Sequence, residues 1–345
     1  MDLMKAAVLH QSRQVVIKDV PKPAPLAGEV LIRVKSVGIC GTDFHYWRTG
    51  SVGNFKITEP FILGHEASGQ IEQVGEGVTN RSIGEKVVVD IQVPCGKCSF
   101  CRMGRYNLCP LKRCMGDPPT NGAFAEYVTW PADSAYAMPD DMTFNEGALI
   151  EPLNIGVYAV SRAGISMGDS VMIMGAGTVG LMSLHAVLAA GADEVYVVDI
   201  DDWRLNKARE FGATATINAR DDVASRVHDL TNGSYVDTTI EASGSPVATV
   251  QAVKVTRRGG KIALVGVYDL GEFPYPLLDV VMKELTVFGN IDGANAFPKS
   301  MHLMASKKID AEKLITHHLP LEDLDRAFRI LDEKKEHALK IMLHP

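Results

Sequence analysis

Hydrophobic residues in the first 150 positions occur in short runs, which Gly, Pro and polar turn residues separate. Such runs are typical of β-strands, because a strand needs only a few apolar positions between two turns. The six clearest runs are KAAVLH, QVVIKDV, EVLIRVKSVG, ASGQIEQVG, EKVVVD and FAEYVTWP. This part of the chain is therefore predicted to be β-rich.

Between about residues 155 and 290, strand-like runs alternate with helix-like segments. The runs are SVMIMG, EVYVVDI, ATATIN, DTTIEAS, GGKIALVGV and LTVFGN. Strands spaced by helices form right-handed parallel βαβ units, so the pattern predicts an α/β domain. Residues 294–345 then show amphipathic helices near FPKSMHLMASKK and LEDLDRAFRILDEKK, followed by a strand, ALKIMLHP.

Residues 170–192 carry no formally charged side chain, a length that could suggest a membrane span. However, this stretch begins with a short β-type run, is interrupted by three glycines and resumes with helix formers. A strand, a tight turn and a buried helix explain that order better, so no membrane partner is expected.

The chain length indicates the number of domains, and the net charge indicates which partners are expected. A chain of 345 residues is long for one hydrophobic core, which favours two domains. The net charge of −7 argues against a nucleic-acid partner, because phosphate-backbone affinity comes from clustered Lys and Arg. The first residues, MDLMKAAVLHQSRQ, lack the apolar core of a signal peptide, so a cytoplasmic location is expected.

Four of the six cysteines lie close together, separated by two, two and seven residues: Cys95, Cys98, Cys101 and Cys109. With no secretory signal, such a cluster is more typical of a metal site than of a disulfide framework. Four thiolates can close a tetrahedral zinc site and hold a loop that has few apolar residues. An iron–sulfur cluster, redox thiols and a nucleic-acid zinc ribbon remain alternatives.

The segment MGAGTVG has the G-x-G-x-x-G spacing, follows the strand-like run SVMIM and opens a helix-like segment. Its glycines permit a tight turn and let the backbone approach a pyrophosphate at the helix N-terminus. Asp199 follows the last glycine by nineteen residues and can accept hydrogen bonds from an adenosine ribose. The predicted cofactor-binding residues are Gly175, Gly177, Thr178, Val179, Gly180, Asp199, Arg204, Val265, Gly266 and Val267.

The identity of the cofactor depends on the charge beside Asp199. A carboxylate there repels the 2′-phosphate of NADP, and the residues that follow, Ile200, Asp201 and Asp202, supply no basic group, so NAD is predicted. Arg204 has two interpretations: it stacks on the adenine, or it lies on a solvated helix face. The nicotinamide ring could lie where LVGV ends the next strand.

Three further segments hold reactive side chains: GICGTDFHYW, ILGHEASG and LIEPLNIG. They contain Cys40, the adjacent His65 and Glu66, and Glu151. Singly, each has an ordinary explanation, such as a core histidine or a carboxylate on a turn. Their combination with a dinucleotide-binding pattern indicates a reactive centre.

Through GICGTDFHYW, GHE, the four-cysteine loop, GALIEPL, GAGTVG and LITHHLPLEDLDRAF, the chain resembles the zinc-dependent medium-chain dehydrogenases over essentially its whole length. Within them it resembles the sorbitol and polyol dehydrogenase branch. This implies a GroES-like β-rich catalytic domain from residues 1–154 and 291–345. A Rossmann domain, a doubly wound parallel sheet that binds NAD, would be inserted at residues 155–290. The family is commonly dimeric or tetrameric, and the apolar run LTVFG could pair between subunits.

The resemblance also implies two zinc ions per chain, one structural in the cysteine loop and one catalytic. Cys40, His65 and a glutamate would hold the catalytic zinc, with either Glu66 or Glu151 as the third ligand. A fourth position stays open for a substrate hydroxyl, whose pKa the cation lowers.

The remaining residues of GICGTDFHYW also match family positions. Thr42 and His45 match the family's proton relay, and Asp43 would orient His65. Thr42 could alternatively cap the helix that follows. Tyr46, in HYW, could line a pocket for a hydroxylated chain.

The substrate prediction departs from the pattern of the branch at one place. Many polyol dehydrogenases have an Arg-Tyr pair shortly before Asn-x-aromatic-Pro, whereas Asp292 and Gly293 precede NAFP here. We therefore hypothesise that Asp292 reaches the substrate and favours an uncharged or amine-bearing polyol over a phosphorylated one. The alternative is a solvated loop residue.

Together these observations predict NAD-dependent oxidation of a polyol secondary alcohol to a ketone. L-Threonine 3-dehydrogenase is the nearest alternative enzyme, since it shares both zinc sites. A non-catalytic protein that binds zinc and a dinucleotide is the alternative of another class, which the intact set of reactive residues argues against.

Overall fold

The computed structural model describes residues 2–53, 55–268, 271–334 and 336–345. The chain forms two compact units, one from Met1–Glu151 with Met301–Pro345 and one from Pro152–Ser300. Both chain ends therefore build the first unit, as the resemblance implied. The boundaries fall after residues 151 and 300, whereas the sequence placed them after 154 and 290.

The first unit is mainly β-structure. Its strands before the second unit are β1 (Leu3–Gln11), β2 (Gln14–Pro21), β3 (Glu29–Gly38), β4 (Ser51–Val52), β5 (Phe55–Lys56), β6 (Phe61–Ile62), β7 (Glu66–Val74), β8 (Lys86–Val89), β9 (Gln92–Val93), β10 (Arg113–Cys114), β11 (Tyr127–Pro131) and β12 (Ala135–Ala137). All six runs that the sequence predicted as strands in this part are strands.

The second unit contributes the next six strands, β13 (Ser170–Met174), β14 (Glu194–Asp199), β15 (Ala215–Asn218), β16 (Val236–Glu241), β17 (Thr256–Leu264) and β18 (Thr286–Gly289). The chain then returns to the first unit for β19 (Ile315–Pro320) and β20 (Lys340–His344). Strand β20 was predicted and β19 was not, since the adjacent polar residues Thr316, His317 and His318 obscure its apolar pattern.

Helices connect these strands. They are α1 (Gly41–Thr49), α2 (Ser99–Arg102), α3 (Phe144–Ala148), α4 (Ile150–Ala163), α5 (Thr178–Ala189), α6 (Asp202–Glu210), α7 (Val223–Leu230), α8 (Pro246–Val255), α9 (Leu277–Met282), α10 (Phe297–Ala305) and α11 (Leu324–Glu333). Within the described ranges, no helix is long and apolar enough to cross a membrane. The uncharged stretch 170–192 is the strand β13, a turn and α5, as predicted.

A seven-stranded sheet organises the first unit in the order β12-β8-β7-β3-β20-β19, with β11 also paired to β3. Strand β20 runs antiparallel to β3, with Leu343 opposite Val37 and Met342 opposite Gly38. On its other side β3 pairs with β7, which places Gly38 opposite Glu66. The carboxyl end of β3, which leads to Cys40, thus lies between β7 and β20, two strands from separate parts of the chain.

The sheet of the second unit is parallel, in the order β15-β14-β13-β16-β17-β18. The strand order reverses between β13 and β16, so the turns that follow these two strands lie side by side at the carboxyl edge of the sheet. In open α/β sheets this is the position where ligands bind. Buried side chains of β13, β14 and β16 form the core with α7 and α8.

Candidate active site

Cys40 is held at the start of α1 by the carboxylate of Asp43. Cys40 is the N-cap residue in an extended conformation, and its N–H donates to Asp43 Oδ2 at 3.0 Å. The other oxygen, Oδ1, accepts the N–H of Gly64 at 3.0 Å. The fully buried Asp43 therefore joins the loop of Cys40 to the loop that precedes His65. Since Cys40 and Asp43 form the cap, the interpretation of Thr42 as the capping residue is wrong.

His65 is buried beside two groups that favour a positive charge. Its Nδ1 lies 3.5 Å from Asp43 Oδ1, and its ring forms a hydrogen bond with the Cys40 side chain. Burial alone lowers the pKa of His65, but the charges of Asp43 and Cys40 outweigh burial and raise the pKa well above its usual value. The Cys40 thiol and the His65 imidazole are thus in contact, and a thiolate and a neutral imidazole are both common zinc ligands.

Glu66 is bound by Lys340, which comes from the other end of the chain. The Lys340 ammonium donates to Glu66 Oε1 at 2.8 Å, to Oε2 at 2.5 Å and to the Ile39 carbonyl at 2.9 Å. Both side chains are only 2 % exposed, so this is a fully buried ion pair. Gly38 leaves the space for it, because a Cβ there would collide with Glu66 Oε2.

The glutamate that completes the catalytic metal site stays a prediction. Glu66 follows His65 directly, and both of its oxygens already accept from Lys340. Glu151 is also buried and lies in the first turn of α4. Among the described residues, the cysteine loop alone brings three or more His, Cys, Asp or Glu ligand atoms within 4.8 Å of one another.

The other predicted residues of α1 differ in exposure. Thr42 and His45 are half-buried and lie three positions apart, hence on one face of the helix. Tyr46 is 1 % exposed, and its hydroxyl lies 3.3 Å from Asp117 Oδ1. Burial and the nearby Asp117 charge raise the pKa of Tyr46. The structure thus gives Tyr46 no exposed surface for a substrate, in contrast to the expectation that it lines a pocket.

The four cysteines of the loop, Cys95, Cys98, Cys101 and Cys109, face one another as free thiols. The sulfur of Cys101 lies 3.5 Å from that of Cys98 and 4.0 Å from that of Cys95. In a tetrahedral zinc site with Zn–S bonds of about 2.3 Å, the sulfurs lie about 3.8 Å apart. Backbone N–H groups of Lys97 and Cys98 lower the pKa of Cys95 to about 6, which favours the thiolate that zinc binds. Spacing and charge both fit zinc.

The predicted dinucleotide turn lies between β13 and α5. Gly175 has a φ of 101°, and a Cβ at Gly180 would collide with the Gly175 carbonyl, so both positions require glycine. Gly177 is the N-cap of α5, which begins with Thr178. Amide N–H groups at this helix N-terminus suit a pyrophosphate.

Asp199 ends β14 and contacts the same turn. Its Oδ2 accepts the N–H of Ala176 at 2.7 Å, and its Oδ1 accepts the N–H of Asp201 at 3.0 Å. Arg204 lies 4.0 Å from Asp201 Oδ2, partly exposed on α6. The predicted ribose acceptor is thus positioned by the turn predicted to bind the pyrophosphate.

Asp292 and Gly293 follow the last strand, β18, of the parallel sheet. Asp292 is half-buried with a φ of 49°, a conformation that Asp tolerates better than most residues. Gly293 is buried, and a Cβ there would collide with the amide of Asn154 in α4. Close packing therefore explains the glycine, while the proposed substrate contact of Asp292 stays a prediction.

Comparison with known proteins agrees with this arrangement. Residues 26–140 match the alcohol dehydrogenase GroES-like domain, and residues 178–306 match the zinc-binding dehydrogenase domain. The sorbitol dehydrogenase of Bacillus subtilis is 39% identical over 343 residues, which cover 99% of this chain and 97% of that protein.

Two solved structures show the same fold along the whole chain. One is an oxidoreductase/dehydrogenase of unknown specificity from Escherichia coli, with a TM-score of 0.95 and 34% identity, covering 99% of each chain. The other is the 2R,3R-butanediol dehydrogenase of Bacillus subtilis, with a TM-score of 0.90 and 32% identity, again covering 99% of each chain. The predicted GroES-like and Rossmann architecture is therefore confirmed.

Proposed function

The chain belongs to the zinc-dependent medium-chain alcohol dehydrogenases, in the branch of the sorbitol and polyol dehydrogenases, and we propose that it oxidises a polyol with NAD. The reaction transfers a hydride from a secondary alcohol carbon to the nicotinamide and gives a ketone. One observation carries the proposal: the side chains of the half-buried Cys40 and the buried His65 are in hydrogen-bond contact in a chain 39% identical to a sorbitol dehydrogenase.

In this proposal Cys40, His65 and either Glu66 or Glu151 hold the catalytic zinc. Bound zinc supplies Lewis acidity, which lowers the pKa of the substrate hydroxyl. Asp43 orients His65 through the 3.5 Å contact between its Oδ1 and the ring. Thr42 and His45, on one face of α1, pass the hydroxyl proton toward solvent.

The preference for NAD over NADP rests on the charges beside the ribose position. Asp199 is placed by the turn that follows β13, and its carboxylate would repel a 2′-phosphate. Asp201 and Asp202 add negative charge at the start of α6. Arg204 is the nearby basic group, and its ion pair with Asp201 reduces its attraction for a phosphate.

The substrate we propose is an uncharged or amine-bearing polyol. The similar proteins include a sorbitol dehydrogenase and a butanediol dehydrogenase, whose named substrates have neighbouring hydroxyls. Asp292 adds a negative charge after β18, which disfavours a phosphate group and favours an ammonium group.

A substrate panel followed by NADH absorbance tests these proposals together. We expect turnover of sorbitol, xylitol or an amino-polyol with NAD, weaker turnover with NADP, and none in Cys40→Ser. A preference for a sugar phosphate would contradict the role of Asp292. A preference for L-threonine would favour the alternative enzyme, and absence of any turnover in zinc-loaded protein would favour the non-catalytic alternative.

We also propose that the protein forms a homodimer or homotetramer through the edge of the parallel sheet. Strand β18 is at that edge, and its backbone can pair with a second copy. The neighbouring α9 exposes apolar side chains, with Leu277, Leu278, Val281 and Met282 each 61–73% exposed. Sedimentation equilibrium of the wild type and of Val281→Asp checks this, since a monomeric wild type contradicts it.

A further inference from the structure

Glu241, at the end of β16, is a fully buried carboxylate that no predicted function uses. Its Oε1 accepts the N–H of Ser243 at 2.9 Å and also the Ser243 hydroxyl. Its Oε2 accepts the N–H of Gly244 at 3.3 Å and the hydroxyl of Tyr268 at 2.8 Å. Four polar groups converge on its two oxygens, which can accept a hydrogen bond from each of them.

These hydrogen bonds join Glu241 to the turns that follow β16 and β17. The carboxylate binds the first turn through Ser243 and Gly244. The Glu241 backbone carbonyl accepts the N–H groups of Val265 at 2.8 Å and Gly266 at 2.9 Å, which lie in the second turn. The two turns are in direct contact, since a Cβ at Gly266 would collide with the Gly244 backbone.

The turn after β13 contacts the same assembly. A Cβ on Gly175, the first glycine of the dinucleotide motif, would lie 2.9 Å from the Cβ of Ser243. The N–H of Ala242 donates to the Met174 carbonyl at 2.8 Å, immediately before that glycine. Ser243 is therefore bound by the Glu241 carboxylate and packs directly against the glycine-rich turn.

Tyr268 attaches the outer end of the turn after β17. Its hydroxyl lies 2.8 Å from Glu241 Oε2 and 2.9 Å from the hydroxyl of Thr249 in α8. Without this contact, the predicted nicotinamide segment 265–267 would keep the backbone bonds of Val265 and Gly266 but lose the anchor that follows it.

We infer that Glu241 and Tyr268 are positioning residues for the dinucleotide, which together hold the three turns after β13, β16 and β17 in their binding arrangement. This rests on the proposed NAD-dependent function. Neither residue needs to touch the cofactor. Glu241 sets the spacing of the turns through Ser243 and Gly244, and Tyr268 fixes the end of the segment predicted to lie under the nicotinamide.

The test compares Tyr268→Phe with Tyr196→Phe in the full-length, zinc-loaded protein. Tyr196 is a matched control in the same sheet, because its hydroxyl also donates to a glutamate, Glu194, at 2.8 Å, but at the amino end of β14. Both variants lose one tyrosine–carboxylate hydrogen bond. We expect Tyr268→Phe to raise the Kd for NAD by about tenfold, whereas Tyr196→Phe changes it less than about twofold.

Calorimetric titration with NAD and steady-state kinetics supply the readouts. In Tyr268→Phe the KM for NAD should rise with Kd, while kcat at saturating NAD stays within about twofold of wild type. Glu241→Gln should weaken NAD further, because its amide places a donor against those of Gly244 and Tyr268.

The results separate two kinds of failure. Equal Kd values for Tyr268→Phe, Tyr196→Phe and wild type would overturn the positioning role, even if Tyr268→Phe lowers the melting temperature. If wild-type protein binds neither NAD nor NADP, the proposed function itself fails.

Discussion

The two predicted metal sites of the first unit are built in different ways. The four cysteines of the loop lie within residues 95–109, and their thiols face one another with the loop's own backbone as support. Cys40 and His65 instead depend on Asp43 from α1, and the adjacent Glu66 depends on Lys340, 274 residues away. All ligands of the loop site come from one short segment, whereas strand pairing in the sheet brings together the residues of the other site.

The two sites also differ in how deeply their charged groups are buried. The loop holds three partly exposed thiols and the buried thiol of Cys109, whose charge zinc itself would neutralise. The other site buries Asp43, Glu66 and Lys340 almost completely, so each of these charges needs its partner at the right distance. A short ligand spacing therefore suffices for the structural site, whereas the reactive site requires the correct register of β3, β7 and β20.

The largest effect should come from exchanging one ligand in each site. Cys40→Ser should lower kcat/KM by at least about 10⁴, or roughly 5.5 kcal/mol of activation free energy, because the catalytic cation loses a thiolate. Cys109→Ser should remove the loop zinc and reduce stability. Metal analysis by mass spectrometry should find about one zinc per chain in each variant and two in the wild type. Loss of both ions in Cys40→Ser would contradict the independence of the two sites.

A smaller effect is expected from Lys340→Met. It leaves the Glu66 carboxylate buried without its cation, which should cost about 3–5 kcal/mol in the free energy of unfolding, measured by urea denaturation. The double variant Glu66→Gln/Lys340→Met should recover a large part of that loss.

Lys5→Met supplies the control for the buried pair. The ion pair of Lys5 with Glu322 is about half exposed, so its loss should lower the free energy of unfolding far less than the loss of the buried pair. Equal losses in Lys340→Met and Lys5→Met would show that the assembled site does not depend on its buried pair.

The smallest effect concerns the pH dependence of thiol alkylation in metal-free protein. The N–H groups of Lys97 and Cys98 lower the pKa of Cys95 to about 6, whereas partial burial and hydrogen bonds with Cys98 and Cys109 raise the pKa of Cys101 to about 12. Because the thiolate is the nucleophile, alkylation of Cys95 should increase through pH 6 and level off above it.

Cys101 serves as the internal comparison, since its thiol should react slowly up to pH 8. Iodoacetamide labelling with peptide mass spectrometry measures both rates in one sample. Equal rates for the two cysteines at pH 7 would contradict the inference that backbone N–H groups of the loop lower the pKa of Cys95.

The structure confirms the strands and the turn that local patterns predict. All six strand runs of the second unit form one parallel sheet, with the glycine-rich turn between β13 and α5. The hydrophobic periodicity and the turn residues are sufficient to predict this sheet, because each βαβ unit is contiguous in sequence. Asp199 lies at the end of β14 and accepts the N–H of Ala176 in that turn, while its contact with a ribose stays a prediction.

Residues whose roles depend on distant partners were missed or misjudged. Lys340 looked like one charge in a short apolar strand, ALKIML, and only its pairing shows that it binds Glu66. Glu241 stands in an ordinary strand run, DTTIEAS, with no motif around it. Tyr46 matched a family position, yet the structure buries it against Asp117.

The sequence by itself determined the fold class, the four-cysteine loop and the dinucleotide turn, because each depends on residues that are near one another along the chain. Tertiary structure alone decided the partner of Glu66, the burial of Tyr46 and the contacts of Glu241. Those features join strands and turns that are distant along the chain, and the energy of a buried charge depends on which groups the fold places beside it.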